Sequence, residues 1–261
     1  MLRALSTAAT GMEAQQSKLD VVANNLANVN TAGFRKSRTD FADLLYETIR
    51  APGTAAAEGR EVPVGVQIGH GTKLVATQMD LGQGQLKQTD NPLDMAIEGD
   101  GFFAVSTPDG RTAYTRAGTF KTDSQGQLTT ADGNILDPAV SIPADATKVT
   151  IGKDGTISAL LAGQTQPTQL GKIQLVTFPN PAGLSRVGGN LFLPSQASGE
   201  AKQGAPGTNG MGTIAQGFVE LSNVKVVEEM IELIVGQRAY EANSRVVRAA
   251  DEMLQATSRM G

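Results

Sequence analysis

The 261-residue chain has no cysteine and no tryptophan, a single histidine, and aromatic side chains at only 4% of positions. Without cysteine there is no disulfide and no thiolate metal ligand. With so few rings, a large aromatic core or ligand pocket is not expected. No apolar run reaches the roughly 18 residues that a membrane-crossing helix needs, so no transmembrane segment is expected. Concentrated charge is also lacking. The net charge is −4 and no basic arm or patch stands out, which argues against a nucleic-acid partner. The opening residues, MLRALSTAATGMEAQQ, contain no unbroken apolar core and do not read as a cleaved secretory signal. Chemistry-bearing motifs are equally scarce. His70 lies between Gly69 and Gly71 with no nucleophile motif beside it. Gly65, Gly69 and Gly71 lack the Gly-Lys-Ser/Thr ending of a phosphate loop. Glu98 and Asp100 flank Gly99 and read as turn residues rather than a hydrolase carboxylate pair. The expectation is no catalytic residue, no metal and no cofactor.

The two ends have a shared rhythm. Leu5, Met12, Leu19 and Leu26 recur every seven residues, with Ala8, Gln15, Val22 and Val29 three residues after each. That is an a/d heptad and predicts a helix over residues 2–29, stopped near Gly33. At the other end Val226, Leu233, Tyr240, Val247 and Leu254 repeat the spacing, joined by Met230 and Ala250, and predict a helix over about 223–258. Its acidic residues lie early and its arginines late, which suits the helix dipole. Val227, Ile231 and Ile234 widen the apolar stripe beyond a two-helix seam, so each helix is expected to have more than one neighbour.

Between the ends the period changes. Residues 51–71 and 195–217 are rich in Ala, Gly and Pro and frame the centre as a paired stalk. The centre carries strand signals at Phe102–Val105, Tyr114–Arg116, Val149–Ile151, Thr156–Ile157 and Ile173–Phe178. Asp-Gly pairs beginning at Asp100, Asp109, Asp132 and Asp154 mark tight turns. The fold class expected is α+β. The terminal helices, residues 1–30 with 222–261, pair as a coiled coil. A β/loop stalk, 31–88 with 197–221, leads to a mainly-β outer domain at 89–196.

Asn24, Asn25, Asn28 and Asn30 crowd the end of the first helix, although Asn is a poor helix former. They can cap the helix and bond the next loop, or bond a neighbouring subunit. They belong to ANNLANVNTAGFRKSR (23–38), which resembles the N-terminal motif of the flagellar basal-body rod and hook axial protein family and includes Leu26, Gly33 and Phe34. NPLDMAIEGDGFFAV (91–105), YTRAGTFKTDSQGQLTTADGNIL (114–136) and GFVELSNVKVVEEMIELIVGQRAYEANSRVVRAADEML (217–254) resemble three further blocks of that family. The stretch LLYETIRAPG…VPVGVQIGHGT (44–72), with Pro52, Gly53, Pro63 and Gly65, is similar to the distal-rod branch. A proximal rod protein of similar size is the near alternative, and a peptidoglycan hydrolase the distant one. The resemblance implies a structural subunit and not an enzyme. It would form a helical homopolymer, a hollow rigid shaft carrying torque across the periplasm toward the outer membrane. Its implied partners are proximal rod proteins, the hook protein, the P-ring and L-ring proteins and the flagellar type III export apparatus, with export needing no cleaved signal peptide. Leu5, Met12, Leu19, Val22, Leu26, Val226, Met230, Leu233, Tyr240, Val247 and Leu254 would then pack the inner helices.

Overall fold

The computed structural model describes residues 2–53, 55–57, 60–61 and 63–260, so part of the 51–71 stretch lies outside the described residues. The chain is α+β and divides into two units: residues 1–27, 37–78 and 225–261, and residues 28–36 with 79–224.

The first unit holds helix α1 (Leu2–Ala27) and helix α2 (Val226–Met260). They run antiparallel, because rising numbers on α1 meet falling numbers on α2. A Cβ on Gly11 would stand 2.8 Å from Asn243, and one on Gly236 would stand 2.9 Å from Leu19. Lys18 pairs with Glu232, and Asn25 with Glu229. The same unit carries a ribbon. Ser37–Asp43 lies beside Thr72–Met79, and Tyr46–Arg50 pairs antiparallel with Val66–Gly69. Gly65 lets the ribbon close, since a Cβ there would meet the Arg50 carbonyl at 2.5 Å. Thr10 meets the ribbon, its hydroxyl accepting from the Thr72 N–H at 3.4 Å.

The second unit is built on the strand Phe102–Ser106. Thr112–Thr115 pairs along one edge; Ile135–Asp137 and Leu175–Thr177 share the other. Alternation sends Phe103 and Val105 into a core with Met95, Ile97, Phe120 and Leu136. It sends Phe102 and Ala104 to the opposite face, against Tyr114, Val176, Phe178 and Phe192. Burial on both faces explains why this strand is an unbroken apolar run. The few aromatic residues are concentrated here. Phe102 meets Phe178 and Phe192 edge-on at centroid distances of 6.1 and 5.7 Å, and Tyr114 meets Phe178 at 4.8 Å. Low aromatic content did not reveal this clustering. A three-stranded sheet (146–151, 156–161, 168–172) adds Ile151 and Ile157 to the first core.

The Asp-Gly signals divide. Gly110, Gly133 and Gly155 take φ of +74, +82 and +82° and turn between paired strands. Gly101 at +137° instead joins Met95–Glu98, which pairs with Thr213–Gln216, to the central strand. The first helix ends at Ala27, short of the predicted residue 29, and Gly33 does not stop it. Residues 28–30 already turn, with Thr31 N–H donating to the Asn28 carbonyl at 3.1 Å. The left-handed Gly33 (φ +70°) serves a different purpose, described below.

Candidate functional site

Two surfaces stand out, one in each unit. In the helical unit, the deepest row of α2 is Glu229, Gly236 and Ala250, with half-buried Asn243 in the same row. These are small or polar residues at heptad spacing, and they let the helices approach closely. Facing them on α1 are buried Ala8, Ala14, Val22 and Asn25. The apolar residues expected to pack the helices are distributed around this row. Val22 is buried. Leu5, Met12, Leu19, Leu26, Leu233, Val247 and Leu254 are half-buried. Val226, Met230 and Tyr240 are exposed. A hydrophobic period marks an apolar stripe but cannot say which flank of it meets the partner. The signal for the true contact row was the heptad recurrence of small or polar residues.

At 3.6 residues per turn, Val227, Ile231 and Ile234 lie on the side of α2 opposite Glu229 and Gly236, with Met230 on its flank. All four are more than half exposed, Val227 at 71%. Further along, this outer face becomes charged, with Arg238, Glu241, Arg245 and Arg248, so the apolar patch is confined to the first turns. A contiguous apolar patch rimmed by polar residues marks an interaction surface.

Asn25 ends the helix pair with a polar knot. Its Nδ2 donates to Ser37 O (2.8 Å) and Glu229 Oε2 (3.1 Å), and its Oδ1 accepts from Ser37 N–H (2.8 Å). At 1% exposure its partners are all within its own chain. Asn28 is also engaged locally, accepting the Thr31 hydroxyl at 3.2 Å. Asn24 and Asn30 are exposed.

In the β unit, residues 32–36 of the same motif are threaded against 220–223. Gly33 N–H donates to the Glu220 carbonyl at 2.8 Å. A Cβ on Gly33 would stand 2.5 Å from the backbone nitrogen of Ala117, so only glycine fits. Gly33→Ala is expected to cost at least about 1–3 kcal/mol through φ strain alone, with the clash adding to it; thermal unfolding of the purified chain checks this. Asn190 Nδ2 donates to Ala32 O (3.1 Å), and Lys36 N–H donates to Asn223 Oδ1 (2.8 Å). The Arg186 guanidinium lies 5.8 Å from the Phe34 ring centre and donates to Arg35 O at 2.9 Å.

At the centre of this segment sits a charged triad that sequence reading missed. Glu220 is 1% exposed. Its Oε1 accepts from Arg35 Nη2 (2.7 Å) and Gly84 N–H (2.8 Å). Its Oε2 stands 3.1 Å from Arg116 Nε, and Arg116 donates its two remaining nitrogens to Gly101 O and Gly99 O, both at 2.8 Å. Burial lowers Arg116 to about 10, with Glu220 pulling upward and Arg35 pushing it further down. The three residues are separated by 81 or more positions, and no local pattern links them.

The residues weighed for chemistry are scattered. His70 lies 3.9 Å from Glu47, which also pairs with Arg3 at 2.6 Å, all partly exposed. Glu98 accepts from the Thr213 hydroxyl at 3.4 Å. Among the described residues no group of His, Asp and Glu could hold a metal ion, and no helix is long and apolar enough to cross a membrane. Pro52, Gly53 and Pro63 are exposed and Gly65 is half-buried, around the end of the ribbon.

Residues 5–35 match the flagella basal body rod protein model, 96–159 the flagellar hook protein FlgE/F/G D1 domain, and 215–260 the flagellar basal body rod FlgEFG protein C-terminal model. The chain is 49% identical to the flagellar basal-body rod protein FlgG of Caulobacter vibrioides over 99% of both chains. It is 47% identical to that of Borreliella burgdorferi over 97% of both, and 43% identical to that of Bacillus subtilis over 98% of this chain and 97% of the relative. The helical ends and the β unit between them thus all fall within one family, and the chain belongs to the flagellar basal-body rod proteins.

Proposed function

We propose that this chain is the structural subunit of the distal rod, polymerising helically into a hollow, rigid drive shaft that carries torque from motor to hook across the periplasm. The observation that carries this reading is end-to-end similarity to basal-body rod proteins in distant bacteria. The unpartnered apolar face of α2 supports it, because a rod subunit needs neighbours along its helices. In this reading α1 and α2 form a coiled coil within an inner tube domain, 1–30 with 222–261. Residues 31–88 with 197–221 form the stalk, and 89–196 the outer domain. Leu5, Met12, Leu19, Val22, Leu26, Leu233, Val247 and Leu254 support the pair, and Val226, Met230 and Tyr240 contribute to contacts between copies. Proximal rod proteins, the hook protein and the P and L rings are its neighbours, reached by type III export. The protein is structural, as its relatives are, and needs no cofactor.

The ribbon end supplies stiffness in this reading. Ile49 and Val64 are exposed there, at 58 and 71%. A wedge between copies would bury them and remove the freedom to slide. Deleting residues 52–66 is therefore expected to leave the melting curve of the purified chain unchanged within about 2 °C, since none of its residues with a described burial is buried. In cells, electron microscopy of basal bodies should show bent, short or absent rods. Straight rods of normal length from the deletion would reduce the stretch to a passive connector.

A further inference from the structure

The three-stranded sheet of the β unit has Ala146–Ile151 as one of its two outer strands. An outer strand presents unpaired N–H and C=O groups, and these recruit strands from other chains. This one borders a groove of about 690 Å³ lined by Asn91, Pro92, Lys148, Val149, Thr150 and Gln216, among others, so the strand is reachable from solvent. Its edge is nevertheless closed at one point by a side chain. Gln216 Oε1 accepts the Ile151 N–H at 3.0 Å, and Gln216 Nε2 donates to Val149 O at 3.0 Å. One residue of a parallel strand bonds in the same way, donating to one residue and accepting from the residue two further on. The amide's other N–H donates to Pro92 O at 2.8 Å, so both of its donors are used.

The backbone around Gln216 explains why a side chain does this. Thr213–Gln216 pairs with Met95–Glu98 on one side. On the other it approaches the three-stranded sheet, where Ile214 N–H donates to Lys153 O at 3.1 Å. Gly217, at φ +74°, then turns the chain away, and its N–H donates to the Asp94 carbonyl at 2.8 Å. The main chain leaves before it reaches Val149, and the side-chain amide continues the ladder in its place. We infer that Gln216 guards this edge: its amide occupies the position on Ala146–Ile151 that a strand of a second copy would take, and keeps the β units of separate copies from pairing there. The inference is independent of the rod reading, because every residue in it lies within the β unit.

The test uses the full-length chain, with amide hydrogen exchange at Ile151 and sedimentation each measured over a range of protein concentration. In the parent the Ile151 amide should exchange slowly at every concentration. Gln216→Ala removes the amide and adds no apolar surface; Gln216 is half-buried and outside both apolar cores, so the fold should be kept. In dilute solution this variant should exchange Ile151 at least about tenfold faster than the parent. In concentrated solution it should self-associate at least about tenfold more tightly than the parent, and protection of Ile151 should return. A sheet that was merely loosened would exchange fast at every concentration. Gln216→Asn, one methylene too short to reach the edge, is the second opening variant and should behave like Gln216→Ala. Gln216→Glu keeps the length but sets a carboxylate against two carbonyl oxygens, and a charge on an edge deters an incoming strand. It should lose protection yet associate no more than the parent. Fast Ile151 exchange in the parent, opening variants that associate no more than the parent, or equal association of Gln216→Glu and the opening variants overturns the inference.

Discussion

Ile231→Asp leaves the subunit folded and abolishes the rod. Ile231 is 54% exposed on the side of α2 turned away from α1, so a carboxylate there stays in water in the single chain. When a neighbouring copy covers the face, the same carboxylate is buried without a partner. That costs several kcal/mol after relaxation. Even about 4 kcal/mol lowers each contact roughly a thousandfold, and a polymer pays it at every subunit. The expected result is a purified chain with unchanged circular dichroism and melting temperature, cells without rods, and no swimming. Ile231→Leu should swim normally. Leu233→Asp is a less clean probe, because Leu233 is half-buried and lies one turn from buried Glu229 and Gly236 on the side facing α1. Rods of normal length from Ile231→Asp would mean that this face is not a contact between copies.

Glu220→Ala should lower the melting temperature by roughly 10 °C. The substitution leaves the Arg35 and Arg116 guanidiniums buried together and also removes the acceptor of the Gly84 N–H. Breaking a buried ion pair from one side costs about 3–5 kcal/mol. For a unit of 150 to 250 residues each kcal/mol is worth roughly 2–4 °C. Calorimetry reads the shift. Adding Arg35→Met to Glu220→Ala should restore several degrees, since it removes one of the two uncompensated cations and fills part of the space with an apolar chain. A melting temperature within 1 °C of the parent for Glu220→Ala alone would show that the triad contributes nothing to stability.

The one-dimensional pattern carried far in this protein. The seven-residue period at both ends, Gly236 aside unbroken by helix breakers in α2, was enough to place two long helices to within a few residues. The strand at Phe102 and the hairpin turns at Asp109-Gly110 and Asp154-Gly155 were legible because alternation and left-handed turn chemistry are local properties of the chain. The sequence showed no cysteine, no basic arm and no motif beside its single histidine. The four family blocks named the family outright.

What the sequence could not determine was every feature that depends on residues meeting from afar. Asn25 satisfies its side chain with Ser37 and Glu229, and that choice between its own chain and a neighbour is invisible in a run of asparagines. The row Glu229–Gly236–Asn243–Ala250 became the contact face of α2 because Gly236 and Ala250 allow close approach while Glu229 and Asn243 meet Asn25 and Gly11 on α1, whereas a periodicity count weighs only apolar side chains. Gly33 read as a helix stop, but its missing Cβ is demanded by the backbone of Ala117. The Arg35–Glu220–Arg116 triad is the extreme case. Burying three charges is tolerable only when they arrive together, so their placement was decided by the tertiary structure, through the Coulomb and hydrogen-bond terms that become large once water is excluded.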